Sequence, residues 1–113
     1  MTRILHTETF KKHYKHLVKK YPSLKAELEE LITELYKNPK TGSPLGHNTF
    51  KIRLAVKSKG GGKSGGLRVI TFVQVTVIKD EVLFLLTLYD KSDISTISDK
   101  ELKNLIHSVL ANP

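Results

Sequence analysis

The chain has 113 residues, no cysteine, and nineteen Lys and Arg against eleven Asp and Glu, a formal net charge of +8. That length suits one core rather than two ordinary domains, so a single domain over residues 1–113 is expected. The composition excludes disulfides and thiolate metal sites, and with no apolar run of about 18 residues and no secretory signal a cytoplasmic protein that avoids membranes is expected, its positive excess favouring a polyanionic partner.

Arg3 to His6 predicts a short first strand, and Thr7 stands where an N-cap would, ahead of Phe10, Tyr14, Leu17 and Val18 at helical spacing. Tyr21 and Pro22 interrupt that pattern. A second helix follows, with Leu24, Leu28, Leu31, Ile32 and Leu35 on one face, and ends near Asn38-Pro39, as the constraint before proline requires. Gly42, Pro44 and Gly46 mark a loop. From Thr49 the period changes to two: Phe50, Ile52, Leu54 and Val56 share one face, while Lys51, Arg53 and Lys57 share the other with Ala55. A loop of glycine, lysine and serine runs from Lys57 to Gly66. Two apolar, β-branched runs, Leu67 to Ile78 and Val82 to Tyr89, then predict an antiparallel meander joined at Lys79-Asp80-Glu81. Ser98 and Glu101 form a capping-box pattern ahead of Leu102, Leu105, Ile106, Val109 and Leu110, so a last helix closes the chain. The expectation is an α+β fold of order β-α-α-β-β-β-α, a small antiparallel sheet carrying two N-terminal helices and a C-terminal one.

Between Thr49 and Val69 six cations, Lys51, Arg53, Lys57, Lys59, Lys63 and Arg68, occur without one acid. A merely solvated face would mix acids with lysines, as the second helix does, so this strip reads as a phosphate-binding surface, with RNA the favoured polyanion. Arg68 opens an otherwise apolar strand just after Gly65-Gly66, where a rigidly held guanidinium suits a pair of phosphate oxygens. Lys59 and Lys63 ride the glycine loop and are read as holding RNA, with Lys57 at the border. Gly62-Lys63-Ser64 is rejected as a Walker A triplet, because the first glycine of that motif would fall on Lys57 and a strand follows. Tyr89-Asp90-Lys91 ends the last strand, and antiparallel pairing would return it toward Arg68. Tyr89 alone reads equally as a core aromatic with its hydroxyl at the rim. His13 and His16 share a helix face without a third ligand and read as a surface pair, and His47 as a rim residue. No metal or other cofactor is expected.

Three segments together, Phe50-Lys51-Ile52-Arg53-Leu54, Lys63-Ser64-Gly65-Gly66-Leu67-Arg68-Val69-Ile70 and Leu85-Leu86-Thr87-Leu88-Tyr89-Asp90-Lys91-Ser92, resemble the RelE/HigB toxin superfamily, most of all its HigB-like branch. The resemblance runs through the strands and the last helix, while the N-terminal helices match in layout only. It implies a metal-independent endoribonuclease that cuts messenger RNA, usually on the ribosome, and is neutralised by a cognate antitoxin. Under that resemblance Arg53 and Arg68 stabilise transition-state charge, Lys51 is the candidate base, and Lys91 matches a basic position that assists phosphate or leaving group. The best-studied RelE-type enzymes carry a tyrosine several residues beyond the Y-x-K position, where this chain has Ile97 or nearby serines and threonines; three readings of that gap stay open, that Tyr89 substitutes, that the base works differently, or that activity is weak. Two other readings stay open: a ParE-like gyrase-binding toxin, and a noncatalytic RNA-binding member of the fold. Oligomeric state is not legible.

Overall fold

The computed structural model describes residues 2–62, 65–94 and 96–111. In chain order the elements are β1 (Thr2–His6), α1 (Glu8–Lys20), α2 (Leu24–Lys37), β2 (Ser43–Gly46), β3 (Thr49–Leu54), β4 (Leu67–Val75), β5 (Glu81–Asp90) and α3 (Asp99–Ala111). The α+β architecture of three helices and one sheet is the one expected, with two corrections. The segment around Gly42, Pro44 and Gly46 is not a plain loop: Ser43–Gly46 forms a short strand against β3. Proline is tolerated there because β2 lies at the sheet edge, where one row of N–H groups needs no ladder partner. The sheet is also mixed rather than antiparallel, in the order β1-β5-β4-β3-β2, since β1 runs parallel to β5. Pairing between the first and last strands leaves no local trace in a sequence.

Helices α1 and α3 each begin at a side-chain cap. Thr7 is extended (φ −73°, ψ 163°) and its Oγ1 accepts the Phe10 N–H at 3.1 Å, capping α1. The same hydroxyl lies 3.0 and 2.9 Å from the carbonyls of Leu85 and Leu86, which ties the helix start to β5. Ser98 Oγ accepts the Glu101 N–H at 3.1 Å and lies 3.3 Å from the Glu101 carboxylate, so the expected cap of α3 forms. The β2–β3 connection is a two-residue turn, His47-Asn48, with both φ values left-handed (55° and 60°), the form whose twist matches a hairpin.

Both faces of the sheet are covered. Leu17, Leu24, Leu28, Leu31 and Leu35 of α1 and α2 pack on Ile52, Leu67, Val69, Leu83, Leu85 and Leu88. On the other face Leu102, Ile106 and Val109 of α3 pack on Ile70, Phe72, Phe84 and Leu86. Being covered on both sides, β4 and β5 are nearly continuous apolar runs, although β4 stops at Val75 and leaves Val77 and Ile78 exposed in the turn. Periodicity cannot find that stop, because the turn itself is apolar.

One irregularity positions the site. Ile70 pairs with Thr87 but Thr71 with Leu85, so Leu86 is an extra residue on β5. A bulge of this kind shifts the alternation of every side chain beyond it. Without it Tyr89 would share a face with Leu83 and Leu85, under α1 and α2; with it Tyr89 joins the α3 face.

Candidate nucleic-acid interface

The register places Arg53 opposite Arg68 and Arg68 opposite Tyr89, making one row across β3, β4 and β5 on the α3 face. Directly opposed residues stand with their Cβ atoms about 4.5–5.5 Å apart, and like charges so placed repel. An anion lying over both guanidinium groups would remove that repulsion. Lys51, two residues before Arg53, points to the same face and lies opposite Ile70 on one side and Ser43 on the other. Lys51, Arg53, Arg68 and Tyr89 are therefore brought together on one patch of rigid sheet.

Exposure separates these groups. Arg53 is open to solvent and Lys51 half-buried, whereas Arg68 is only 3% exposed and donates to the Leu67 carbonyl at 3.2 Å. Arg53 is thus the guanidinium presented outward, with Arg68 behind it. Tyr89 is 6% exposed, and its hydroxyl makes no hydrogen bond of ordinary geometry among the described residues. Burial raises its pKa, and the Arg68 charge and the Ile97 main chain offset only part of that rise. The phenol therefore stays protonated at neutral pH.

The glycine loop is fastened more firmly than its composition suggests. Lys59 Nζ lies 3.4 Å from the buried Asp90 carboxylate and 3.1 Å from Ser92 Oγ, and it also donates to the Gly65 carbonyl. Lys59 is turned inward and anchors the loop, while Lys57 is exposed, its main-chain N–H bound to Glu27 at 2.8 Å. Lys91 is exposed in the turn after β5. Lys63 lies outside the described residues. At the base of the loop a side chain on Gly66 would drive its Cβ into the Leu54 carbonyl, so glycine is required where β4 pairs with β3, two residues before Arg68.

Asp90 is a residue that sequence reasoning passed over. Burial pushes its pKa up, but the Ser92 N–H, the Tyr21 and Ser92 hydroxyls and Lys59 together hold it below its ordinary value. Tyr21 donates to its Oδ2 at 2.7 Å and the Ser92 N–H to its Oδ1 at 2.9 Å. One carboxylate thus joins the corner after α1, the glycine loop and the exit of β5. The visible signal is an acid amid cations in Tyr89-Asp90-Lys91, next to a strand of uninterrupted apolar residues.

His13 is not part of a free surface pair. Its Nδ1 lies 3.0 Å from the Leu88 carbonyl and 3.1 Å from Thr87 Oγ1, and since a carbonyl only accepts, Nδ1 carries the hydrogen. His16 is exposed. Among the described residues no three His, Asp or Glu side chains are grouped to hold a metal ion, and no helix is long and apolar enough to cross a membrane. His47 sits in the turn before β3, six residues from Arg53, roughly 20 Å at the rise of a strand, so it lies away from the row. A cavity of about 600 Å³ between β1, the start of α1 and α3 contains no residue of the basic strip.

The α+β fold, with two helices on one face of the sheet and a single helix beside the cationic row, comes with a family match that gives the class: a toxin of a toxin–antitoxin system. The model of the family described as the RelE toxin of the RelE / RelB toxin-antitoxin system matches residues 2–110, and the chain belongs to that family. Among curated proteins none matches it.

Proposed function

We propose that this toxin is an endoribonuclease that cuts messenger RNA on the ribosome and is held inactive by a cognate antitoxin. The observation that carries the proposal is the row Arg53–Arg68–Tyr89, two guanidinium groups and a protonated phenol side by side on rigid sheet, with Lys51 on the same face. RNA supplies its own nucleophile. A base takes the 2′-hydroxyl proton, the 2′-oxygen bonds to phosphorus, and the P–O5′ bond breaks as the 5′-oxygen gains a proton, leaving a 2′,3′-cyclic phosphate. Lys51 is assigned the base. Arg53 contacts the phosphate, and Arg68 behind it adds charge from a less polar setting, where it weighs more on the developing phosphorane. Tyr89 is assigned proton donation or a hydrogen bond to the reacting phosphate. Lys91 and Lys57, and Lys63 as a sequence expectation, extend the grip on RNA. The cytoplasm, where ribosomes and antitoxin are found, is the proposed site of action, and a single domain carries it.

The test is the addition of purified protein to translating ribosomes. Cuts in the messenger are expected, and Arg53→Ala or Arg68→Ala should slow them by about 10²–10³-fold, the usual effect of deleting one oxyanion donor. Circular dichroism checks that the variants are folded. An intact messenger at high dose, or full toxicity in Lys51→Ala and Arg68→Ala, overturns the nuclease assignment; the second result points to the gyrase-binding alternative.

A further inference from the structure

Tyr89 belongs to two places at once. It ends the arginine row, and it also lines a groove between α1, α3 and the second half of β5, a cavity of about 280 Å³ with His13, Thr87, Ile97, Glu101, Asn104 and Leu105 in its wall. This is just under the roughly 300–1,000 Å³ of sites for drug-sized molecules, so it suits one small ring system. Its chemistry differs from that of the row. Among the described residues no lysine or arginine lines it; its one basic lining side chain is the His13 imidazole, and Glu101 contributes a carboxylate, so the groove disfavours a phosphate relative to the arginine row. The wall offers instead apolar surface from Ile94, Ile97 and Leu105 and hydrogen-bonding groups at Thr87, Asn104 and Glu101. The Tyr89 hydroxyl, on a side chain 6% exposed, makes no hydrogen bond of ordinary geometry among the described residues and lies buried at the junction of groove and row. A cation row and a hydrogen-bonding groove that no described lysine or arginine lines, joined at one tyrosine, match the two halves of a nucleotide.

We propose that this groove holds the nucleobase next to the phosphate gripped by Arg53 and Arg68, with Asn104 and Glu101 reading its hydrogen-bonding edge, so that it sets base preference at the cut. The proposal rests on the nuclease reading above for its place in the reaction, but the groove can be tested without cleavage. Apolar walls give stacking and burial with little discrimination, whereas an amide and a carboxylate distinguish bases by donor and acceptor pattern.

The experiment is titration of the full chain with the four nucleoside 3′-monophosphates and, separately, with inorganic phosphate, followed by methyl chemical shifts. Nucleotides are expected to bind roughly tenfold or more tightly than phosphate, the ordinary gain from one stacked or buried base, and to move the methyl signals of Ile94, Ile97 and Leu105, which phosphate leaves still. Ile97→Trp, in the loop before α3, should fill the groove and reduce nucleotide affinity to that of phosphate. Asn104→Ala, on an exposed turn of α3, should narrow the differences among the four bases. Nucleotides that bind no more tightly than phosphate, or that leave those three methyl groups unmoved, overturn the base pocket. Failure of the ribosome assay with the methyl shifts present would instead remove the nuclease reading and leave the pocket standing.

Discussion

At the end of β5 a carboxylate with 3% exposure keeps its charge, and the loop that flanks the cationic row depends on it. Because the folded pKa of Asp90 lies below its ordinary value of 3.8, the stabilisation it supplies is fully present above that value and is lost as pH falls through the folded pKa. Asp90→Asn should therefore unfold in urea with less acid sensitivity between about pH 5 and pH 2 than the parent chain. At neutral pH the same variant should be less stable by about 1–3 kcal/mol, since the amide replaces a charged acceptor beneath Lys59 and Tyr21. Equal acid sensitivity in the two chains would show that Asp90 does not carry this linkage. Tyr89 depends on a different local fact, its placement beyond the bulge, and Tyr89→Phe isolates the hydroxyl: cleavage should fall while stability is unchanged or rises, because a buried hydroxyl that makes no hydrogen bond of ordinary geometry is costly.

Among the elements, the start of α1 is the joint between the helical layer and the sheet. Thr7 caps the helix and reaches the Leu85 and Leu86 carbonyls beside the bulge, so Thr7→Ala should lower stability by about 1–2 kcal/mol in thermal or urea unfolding. Serine at the same position keeps the hydroxyl and should recover most of the loss. The β3–β4 pair is equally constrained at Gly66, where a methyl group would meet the Leu54 carbonyl. Gly66→Ala must push β4 away from β3 two residues before Arg68, and it should impair cleavage together with stability. Wild-type melting in that variant would mean that the strands give way more easily than their register implies.

Over the whole molecule the net charge of +8 means that, on the proposed reading, binding of RNA would be driven largely by released counterions. The logarithm of the binding constant should fall linearly with the logarithm of salt, by about 0.7 for each phosphate neutralised on a single strand. Exposed Lys57 should account for about one such unit, so Lys57→Ala lowers the slope by about 0.7, whereas inward-turned Lys59 contributes through loop order rather than directly. A salt slope near zero would exclude the sheet face as a phosphate surface.

Much of this molecule is local and therefore legible in the chain. Helix spacing with the caps at Thr7 and Ser98, the two-residue alternation from Phe50 to Leu54, and an acid-free run of cations follow from neighbouring residues, because hydrogen-bonding geometry and side-chain period act over a few positions. The cationic face and the three segments of family resemblance were visible on that basis. What joins distant segments was not. The parallel pairing of β1 with β5, the edge strand at Pro44, the extra residue at Leu86 that turns Tyr89 toward Arg68, and the hold of Asp90 on Lys59 each depend on register between segments far apart in sequence. The sequence alone determined that the chain is basic and where its cations lie; only the tertiary structure decided which of them face outward, which is tied to a buried acid, and which share a row with Tyr89, because a one-residue change of register exchanges the two faces of a strand.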